Sequence, residues 1–477
     1  MKVVTRFAPS PTGFVHVGAI RTALFAYLLA KNQNGKFIFR IEDTDKNREV
    51  VGAEDHIKKS LSWLGLNWDE GIDIGGPHTP YKQSERLIIY TEWAKKLLEQ
   101  GKAYVDPYTN AELDNFRQQA IKNKQPFLYR NHRPDKTEPW DGTKAVRLKS
   151  EPKQYGWHDE VLGDLQAGPE AIDDFILIKA DGYPTYNFCH IIDDYLMEVT
   201  HVIRSQEFIS SVPRFLNLYD ALGFKWPKFA TLPYVMAIDG HKKLSKRDGA
   251  KDILQYAQDG YLPETMLNFL ASLGWNDGTE QEIFSRQELI DKFDISHVQK
   301  SPARFDEKRL LWMNGQWIRR LSINELAERV INLWPKEAFK YDDEYRHKVL
   351  SLVHERLKTL TDLIDLSQYF FVEPNIDLSL INGHKQLSKL TQEELLAILN
   401  QALNALNDID FNPDNIQATL NDLLIKTNQK PVVVFSLIRL ATTWAPFSPD
   451  LAPSLSLIGK ERVLKRLKTA SEFIASN

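Results

Sequence analysis

Over its first hundred residues the chain alternates strand-like and helix-like patterns, and no other feature restricts the possible folds as much. "VVTRFA" at 3–8 reads as a strand, 17–31 as a helix (Ile20, Ala23, Leu24, Tyr27, Leu28) and "KFIFRIE" at 36–42 as a second strand with Phe37, Phe39 and Ile41 in alternation. Further helices are predicted over 49–64 (Ile57, Leu61, Leu64) and 84–99 (Leu87, Trp93, Leu97, Leu98). Strands separated by helices at this spacing predict a parallel, doubly wound α/β sheet.

The alternation breaks at 101–185, where short mixed elements, the basic "KNKQPFLYRNHRP" and turn-rich "RPDKTEPWDGT" predict an inserted α+β domain. It resumes at "YNFCHIIDDYLMEVTHVIRSQEF" and runs to about 240, so residues 1–100 and 186–240 are expected to share one sheet. From 323 to 477 the apolar residues fall at three- and four-residue spacing, which predicts an all-α part.

Ligands in open parallel sheets bind beyond the carboxyl ends of the strands. Arg6, Glu42 and Arg204 each stand where a predicted strand ends. Two guanidiniums and one carboxylate would match a ligand with two carboxylates and one ammonium, such as glutamate or aspartate. Ion pairs along a sheet rim would give the same pattern. Between the first strand and helix lies "RFAPSPTGFVHVGA", with Ser10, Pro11, Thr12, Gly13, His16 and Gly18. A helix start with glycines attracts phosphate, and His16 could add a donor; a plain turn before a helix would use the same residues. "GHKKLSKRDG" at 240–249 carries Lys242, Lys243, Lys246 and Arg247. It reads either as a phosphate clamp or as a solvated charge run.

Composition narrows the class. The 477 residues suffice for about three or four domains, and 43% hydrophobic with 26% charged residues is ordinary for a soluble protein. No apolar run approaches the ~20 residues of a membrane span. The first residues enter a strand directly, so no signal peptide is expected. One cysteine, Cys189, excludes an internal disulfide and suits a reducing cytoplasm. The net charge of -4 gives no global support for a nucleic-acid partner, which would need a local basic face.

"HVGA" at 16–19 and "KLSKR" at 243–247 resemble the two signatures, HIGH and KMSKS, of class I aminoacyl-tRNA synthetases. "RFAPSPTG", "RTALF", "FRIEDTD", "QSER" at 83–86, "DGYPTYNF", "THVIR" and "LIGKER" follow in order and resemble bacterial glutamate–tRNA ligases over nearly the whole chain. The resemblance implies a Rossmann-type catalytic domain in two halves (1–100, 186–240) and an inserted acceptor-arm-binding domain (101–185). It also implies a stem-contact region with the KLSKR loop (241–322) and a helical anticodon-binding domain (323–477). It implies ATP-dependent ligation of L-glutamate to tRNA(Glu) with Mg²⁺, by a cytoplasmic monomer that is not bound to a membrane. Carried over by position, the glutamate pocket falls on Arg6, Ala8, Ser10, Glu42, Tyr186 and Arg204. ATP falls on His16, Gly18, Lys243, Ser245, Lys246 and Arg247, with His16, Lys243 and Lys246 catalytic.

Some positions depart from the pattern. Ala19 ends the first signature, Cys189-His190 stands where Ala-Asn is more usual and would put His190 in the amino-acid pocket, and Ser205-Gln206 replaces Gly-Glu. Zinc held by several thiolates is impossible with one cysteine, and no zinc is expected. Candidate RNA contacts are Lys122, Lys124, Arg130 and Arg133 in the insertion, and Arg356, Lys358, Lys460, Arg462, Lys465 and Arg466 in the helical part. Glutamine–tRNA ligase, a short enzyme that glutamylates a tRNA base, a small-molecule nucleotidyltransferase and a non-catalytic tRNA-binding protein are the rival readings. The long helical part disfavours the second and third, and the intact KLSKR and His16 the last.

Overall fold

The computed structural model describes residues 2–244, 251–445 and 447–476. It contains two compact units, residues 1–257 with 263–307 and residues 258–262 with 308–477.

The first unit begins with β1 (Val4–Phe7), α1 (Val17–Asn32), β2 (Lys36–Phe39), α2 (Ala53–Leu64), β3 (Glu70–Gly71) and α3 (Leu87–Glu99). These strands lie parallel in the order β1-β2-β3. Phe37, Ile38 and Phe39 are all buried, so both faces of β2 are covered, and it has a strand on either side. The alternation in "KFIFRIE" therefore marks a strand covered on both faces. α1 buries Ile20, Ala23, Leu24, Phe25, Ala26, Leu28 and Ala30, and the Thr5 hydroxyl donates to its Ala26 carbonyl at 2.7 Å. α2 starts at Ala53 rather than near 49, after Gly52 at φ +81°.

The middle segment holds β4 (Ala103–Val105), α4 (Asn110–Lys122), β5 (Val146–Leu148), β6 (Tyr155–Asp159), β7 (Gly163–Ala167) and β8 (Ile176–Ile178). It is divided between two sheets. β4, β5 and β8 form an antiparallel sheet of their own, with a small core of Tyr104, Leu113 and Tyr129. The β6–β7 hairpin instead joins another sheet, where β6 runs parallel to β10 (Lys228–Leu232). Buried Asp159 fastens it by accepting from the Thr231 N–H at 3.1 Å and the Thr231 hydroxyl at 2.6 Å.

After α5 (Tyr186–Leu196), β9 (His201–Ser205) pairs with β10, and α6 (Val212–Leu222) connects the two. β9 also lies beside β1, with the Thr200 N–H donating to the Val4 carbonyl at 2.9 Å. From β1 the chain thus builds one way through β2 and β3 and the other way through β9 and β10. The strand order reverses between β1 and β9, which is where such sheets open a crevice. Beyond β10 come β11 (Val235–Met236), α7 (Ile253–Gln258), α8 (Pro263–Ser272), α9 (Arg286–Lys292) and β12 (Ala303–Arg304), which pairs with β11.

The second unit is helical throughout its described residues. α10 (Glu307–Arg320) leads to α11 (Ile323–Arg329), α12 (Asp343–Val353), α13 (Asp362–Phe371), α14 (Ser379–Asn382), α15 (Gln392–Asn407), α16 (Pro413–Thr427), α17 (Pro431–Thr443), α18 (Leu451–Ile458) and α19 (Lys460–Ser476). Leu395, Ile398, Leu399, Ala402 and Leu406 of α15 pack with Val463, Leu467, Ala470 and Ile474 of α19, an i, i+3, i+4 stripe on each. The continuous apolar run at 346–366 is two helices. Asp362 accepts from the N–H groups of Lys358 and Thr359 and so starts α13 afresh.

Candidate active site

The reversal between β1 and β9 collects charge at the strand ends. Arg6 lies on β1, Arg204 on β9, and Glu42 three residues beyond β2. A cavity of about 710 Å³ is lined by Arg6, Ala8, Ser10, Glu42, Tyr186 and Arg204 together with His16, Gly18 and Lys243. Ser245, Lys246 and Arg247 lie outside the described residues.

The charges do not stand alone. Arg6 Nε donates to Asp194 Oδ1 at 3.1 Å and Oδ2 at 3.2 Å. Fully buried Arg40 donates from Nη2 to Glu42 Oε1 and to Asp194 Oδ1, each at 2.9 Å. Next to them Asp193 accepts from Arg86 Nε, Gln83 Nε2 and the Tyr90 hydroxyl, all at 2.8 Å. Burial opposes ionisation of Asp194, but Arg6, Arg40 and Arg204 outweigh it and hold its carboxyl well below the usual carboxylate range. Burial lifts the Glu42 carboxyl above its ordinary value, against the pull of Arg40, Arg204 and Arg6.

Four guanidiniums (Arg6, Arg40, Arg86, Arg204) face three carboxylates (Glu42, Asp193, Asp194), a surplus of one positive charge. Arg204 is the surplus. It has no ion pair among the described residues, and three rings hold it: Tyr186 at 5.7 Å, Phe208 at 5.4 Å and Phe215 at 5.3 Å. Burial pushes the Tyr186 phenol up to about 12. The sequence pattern marked Arg6, Glu42 and Arg204, but not Arg40, Asp193 or Asp194, which couple residues more than 150 positions apart.

His190 does not line the cavity; it sits behind Tyr186. Its ring stacks on the Tyr186 ring at 4.7 Å, and its Nδ1–H donates to the Tyr186 carbonyl at 2.6 Å. Burial, helped by Arg204, keeps the imidazole neutral.

At the helix start, His16 caps α1 by accepting from the Gly18 N–H on Nδ1 at 3.1 Å. A Cβ on residue 18 would come within 3.1 Å of that ring, so the glycine makes room for the cap. Lys243 Nζ lies 2.7 Å from Glu207 and 4.7 Å from the centre of the Tyr234 ring. A second opening of about 610 Å³ shares Ser10, Glu42, Arg48, Tyr186 and Phe208 with the first and adds Thr44, Asp45, Lys179 and Thr185. Sequence patterning gave no sign of it, although Thr44 and Asp45 lie within "FRIEDTD".

Residues 2–312 match the family model for the catalytic domain of class I tRNA synthetases (E and Q), and residues 325–471 match an anticodon binding domain. The glutamate–tRNA ligase of Clostridium tetani is 41% identical, with 99% of this chain and 98% of that protein aligned. That of Dehalococcoides mccartyi is 39% identical, with 98% of each aligned. The chain belongs to the glutamate–tRNA ligase family. A crystal structure of a glutamate tRNA ligase from Elizabethkingia meningosepticum in complex with its amino acid superposes with a TM-score of 0.88 at 32% identity, covering 99% of this chain and 100% of that one.

Several basic residues that a tRNA-binding synthetase would be expected to present are used internally. Arg133 is bonded to Asp174, and Arg130 to the Ile172 carbonyl. Arg466 is buried and donates to the Thr442, Tyr369 and Val372 carbonyls at 2.8–3.0 Å and to Glu373 at 3.1 Å. Arg462 donates to the Phe370 carbonyl at 2.8 Å. Together they close the carboxyl end of α13, whose last carbonyls have no helical partner. Arg466→Ala is therefore expected to destabilise the helical unit by about 2 kcal/mol, since it strands the Thr442 and Val372 carbonyls, while exposed Glu373 keeps Arg462. A lower urea midpoint at unchanged slope is the check. Lys122, Lys124, Arg356, Lys358 and Lys465 remain exposed.

Proposed function

We propose a division of labour within the cavity for the activity that the family carries, the ATP-dependent joining of L-glutamate to tRNA through a glutamyl-adenylate. The unpaired charge of Arg204 carries this reading. The substrate side-chain carboxylate lies against Arg204 and the free edge of Arg6, and so neutralises the surplus at the strand ends. Glu42 faces the substrate ammonium, with Ser10 and the backbone at Ala8 beside it. Glutamine brings no charge to balance Arg204, which favours glutamate over the glutamine-specific reading.

ATP lies with its phosphates at the start of α1, against His16, Gly18 and Lys243, and the resemblance of the "KLSKR" segment assigns Ser245, Lys246 and Arg247 to it as well. Among the described residues no cluster of three or more His, Cys, Asp or Glu side chains could hold a metal ion. Mg²⁺ enters as part of the MgATP substrate. An oxygen of the glutamate α-carboxylate attacks the α-phosphorus, the bond to the β-phosphate oxygen breaks, and diphosphate leaves. A ribose hydroxyl of the terminal tRNA adenosine, admitted through the second opening, then attacks the acyl carbon. Its proton is lost and AMP departs. No side-chain nucleophile takes part; positioning and charge stabilisation do the work.

In the helical unit, exposed Arg356 pairs with Asp450 at 3.1 Å, and Phe447 is three-quarters exposed. Burial, then the nearness of Arg356, holds Arg439 below its ordinary value. Two cations with a free ring suit unpaired bases, and we assign anticodon reading to this face. The protein works as a monomer in the cytoplasm; among its described residues no helix is long and apolar enough to cross a membrane.

ATP–pyrophosphate exchange with glutamate or glutamine, with and without tRNA, tests the assignment. Exchange is expected with glutamate and not with glutamine. Lys246→Ala is expected to lower single-turnover adenylation roughly 100-fold while changing glutamate binding little, because its charge acts on the leaving diphosphate. Unchanged adenylation would make the basic segment a solvated charge run.

A further inference from the structure

Arg21 lies on α1 one turn beyond the His16 cap, and it is 2% exposed. Nη1 donates to the Pro233 carbonyl at 2.7 Å, and the guanidinium lies 5.1 Å from the Phe25 ring centre. Among the described residues Nε and Nη2 are buried with no hydrogen-bond partner, and no carboxylate pairs with the side chain. Burial lowers this guanidinium from its ordinary value to about 10. The surroundings leave space for it. Gly274 sits at φ +99°, and a Cβ there would come within 2.8 Å of Nη2. Arg21 lines the main cavity with Gly18 and Thr22 of the same helix face and with Pro233, Tyr234 and Val235.

A buried guanidinium with one hydrogen bond destabilises a protein unless something else meets its donors. Arg6, Arg40 and Arg86 each have a carboxylate. Arg204 lacks one, and we have assigned it to the substrate. The same argument applies on the nucleotide side. We propose that Arg21 is a nucleotide-binding residue whose Nε and Nη2 donate to acceptor atoms of ATP. The inference rests on the assignment of ATP to the His16–Gly18 end of the cavity. The acceptors are phosphate oxygens or ring nitrogens of the base, both within the chemistry of two free N–H donors.

Thermal melting and exchange kinetics of the full chain test this. Arg21→Met keeps the length of the side chain and removes the charge and the donors. Its Tm without nucleotide is expected to equal or exceed that of the parent, because an uncompensated buried cation has gone. The rise in Tm on adding MgATP is expected to disappear, and KM for ATP to increase at least tenfold, with KM for glutamate within twofold. Arg21→Lys, which keeps the charge but not the fork, is expected to fall between the two in KM for ATP. Adenosine and inorganic tripolyphosphate in place of ATP separate the acceptors: the one that stabilises the parent but not Arg21→Met names the part that Arg21 holds. An intact ATP response and KM in Arg21→Met would overturn the proposal and leave water as the partner. A lower Tm with an intact ATP response would make Arg21 structural. Should Arg21→Met not fold, an unchanged KM for ATP in Arg21→Lys overturns it. A parent chain without any ATP response contradicts the placement of ATP itself, and Arg21 with it.

Discussion

Arg204→Gln is expected to lower kcat/KM for glutamate in pyrophosphate exchange by roughly 100- to 1000-fold, the loss that follows when a buried carboxylate is deprived of its cation. The fold should be destabilised only modestly. Arg204 pairs with no carboxylate among the described residues, so its removal strands none and forfeits only contacts with three rings. Such contacts contribute about 0.5–1 kcal/mol each at partly exposed positions. The variant should also lose its preference for glutamate over glutamine, because the surplus charge that distinguishes them is gone. A variant that activates glutamate normally would remove Arg204 from the recognition of the side chain.

Arg6→Ala has a different signature. Its guanidinium holds Asp194, and both side chains are almost wholly buried. Truncation leaves Asp194 with Arg40 as its nearest cation and should destabilise the catalytic unit by about 3 kcal/mol, as removal of one partner of a buried pair does. The same change removes one face of the glutamate pocket, so activation should be lost as well. Urea unfolding separates the two effects: the midpoint falls at unchanged slope, and exchange measured where the variant is still folded remains abolished. A normal midpoint would mean that Asp194 does not depend on Arg6. Normal exchange in the folded variant would confine Arg6 to a structural role.

This contrast shows what patterning can and cannot reveal. Strand ends are legible because periodicity locates strands, and that was enough to place Arg6, Glu42 and Arg204 at one crevice. Whether a guanidinium is paired depends on a partner far along the chain. Arg6 and Asp194 are 188 positions apart, and "IIDDY" looks like any helix carrying two acids. Arg6 is therefore both a rim ion pair and a cavity wall, and of these three Arg204 alone has no ion pair among the described residues. The β6–β7 hairpin was hidden for a related reason. A single register with β10, fastened by Asp159, ties it to the catalytic sheet, and no local signal records that attachment. Arg466 was misread because charge alone suggests an RNA contact, whereas its position beneath the end of α13 makes it a cap on backbone carbonyls. The break between α12 and α13 rests on one aspartate inside a run whose apolar spacing continues across it.

The central claim is that the surplus positive charge of this cavity selects a substrate with a second carboxylate and passes it to tRNA. The most direct measurement offers the full chain ATP, tRNA and equal concentrations of labelled glutamate and glutamine, and identifies the amino acid esterified to the tRNA. The account predicts glutamyl-tRNA, formed with stoichiometric AMP, and essentially no glutaminyl-tRNA. Glutaminyl-tRNA at a comparable rate, or no esterified product at all, would contradict it.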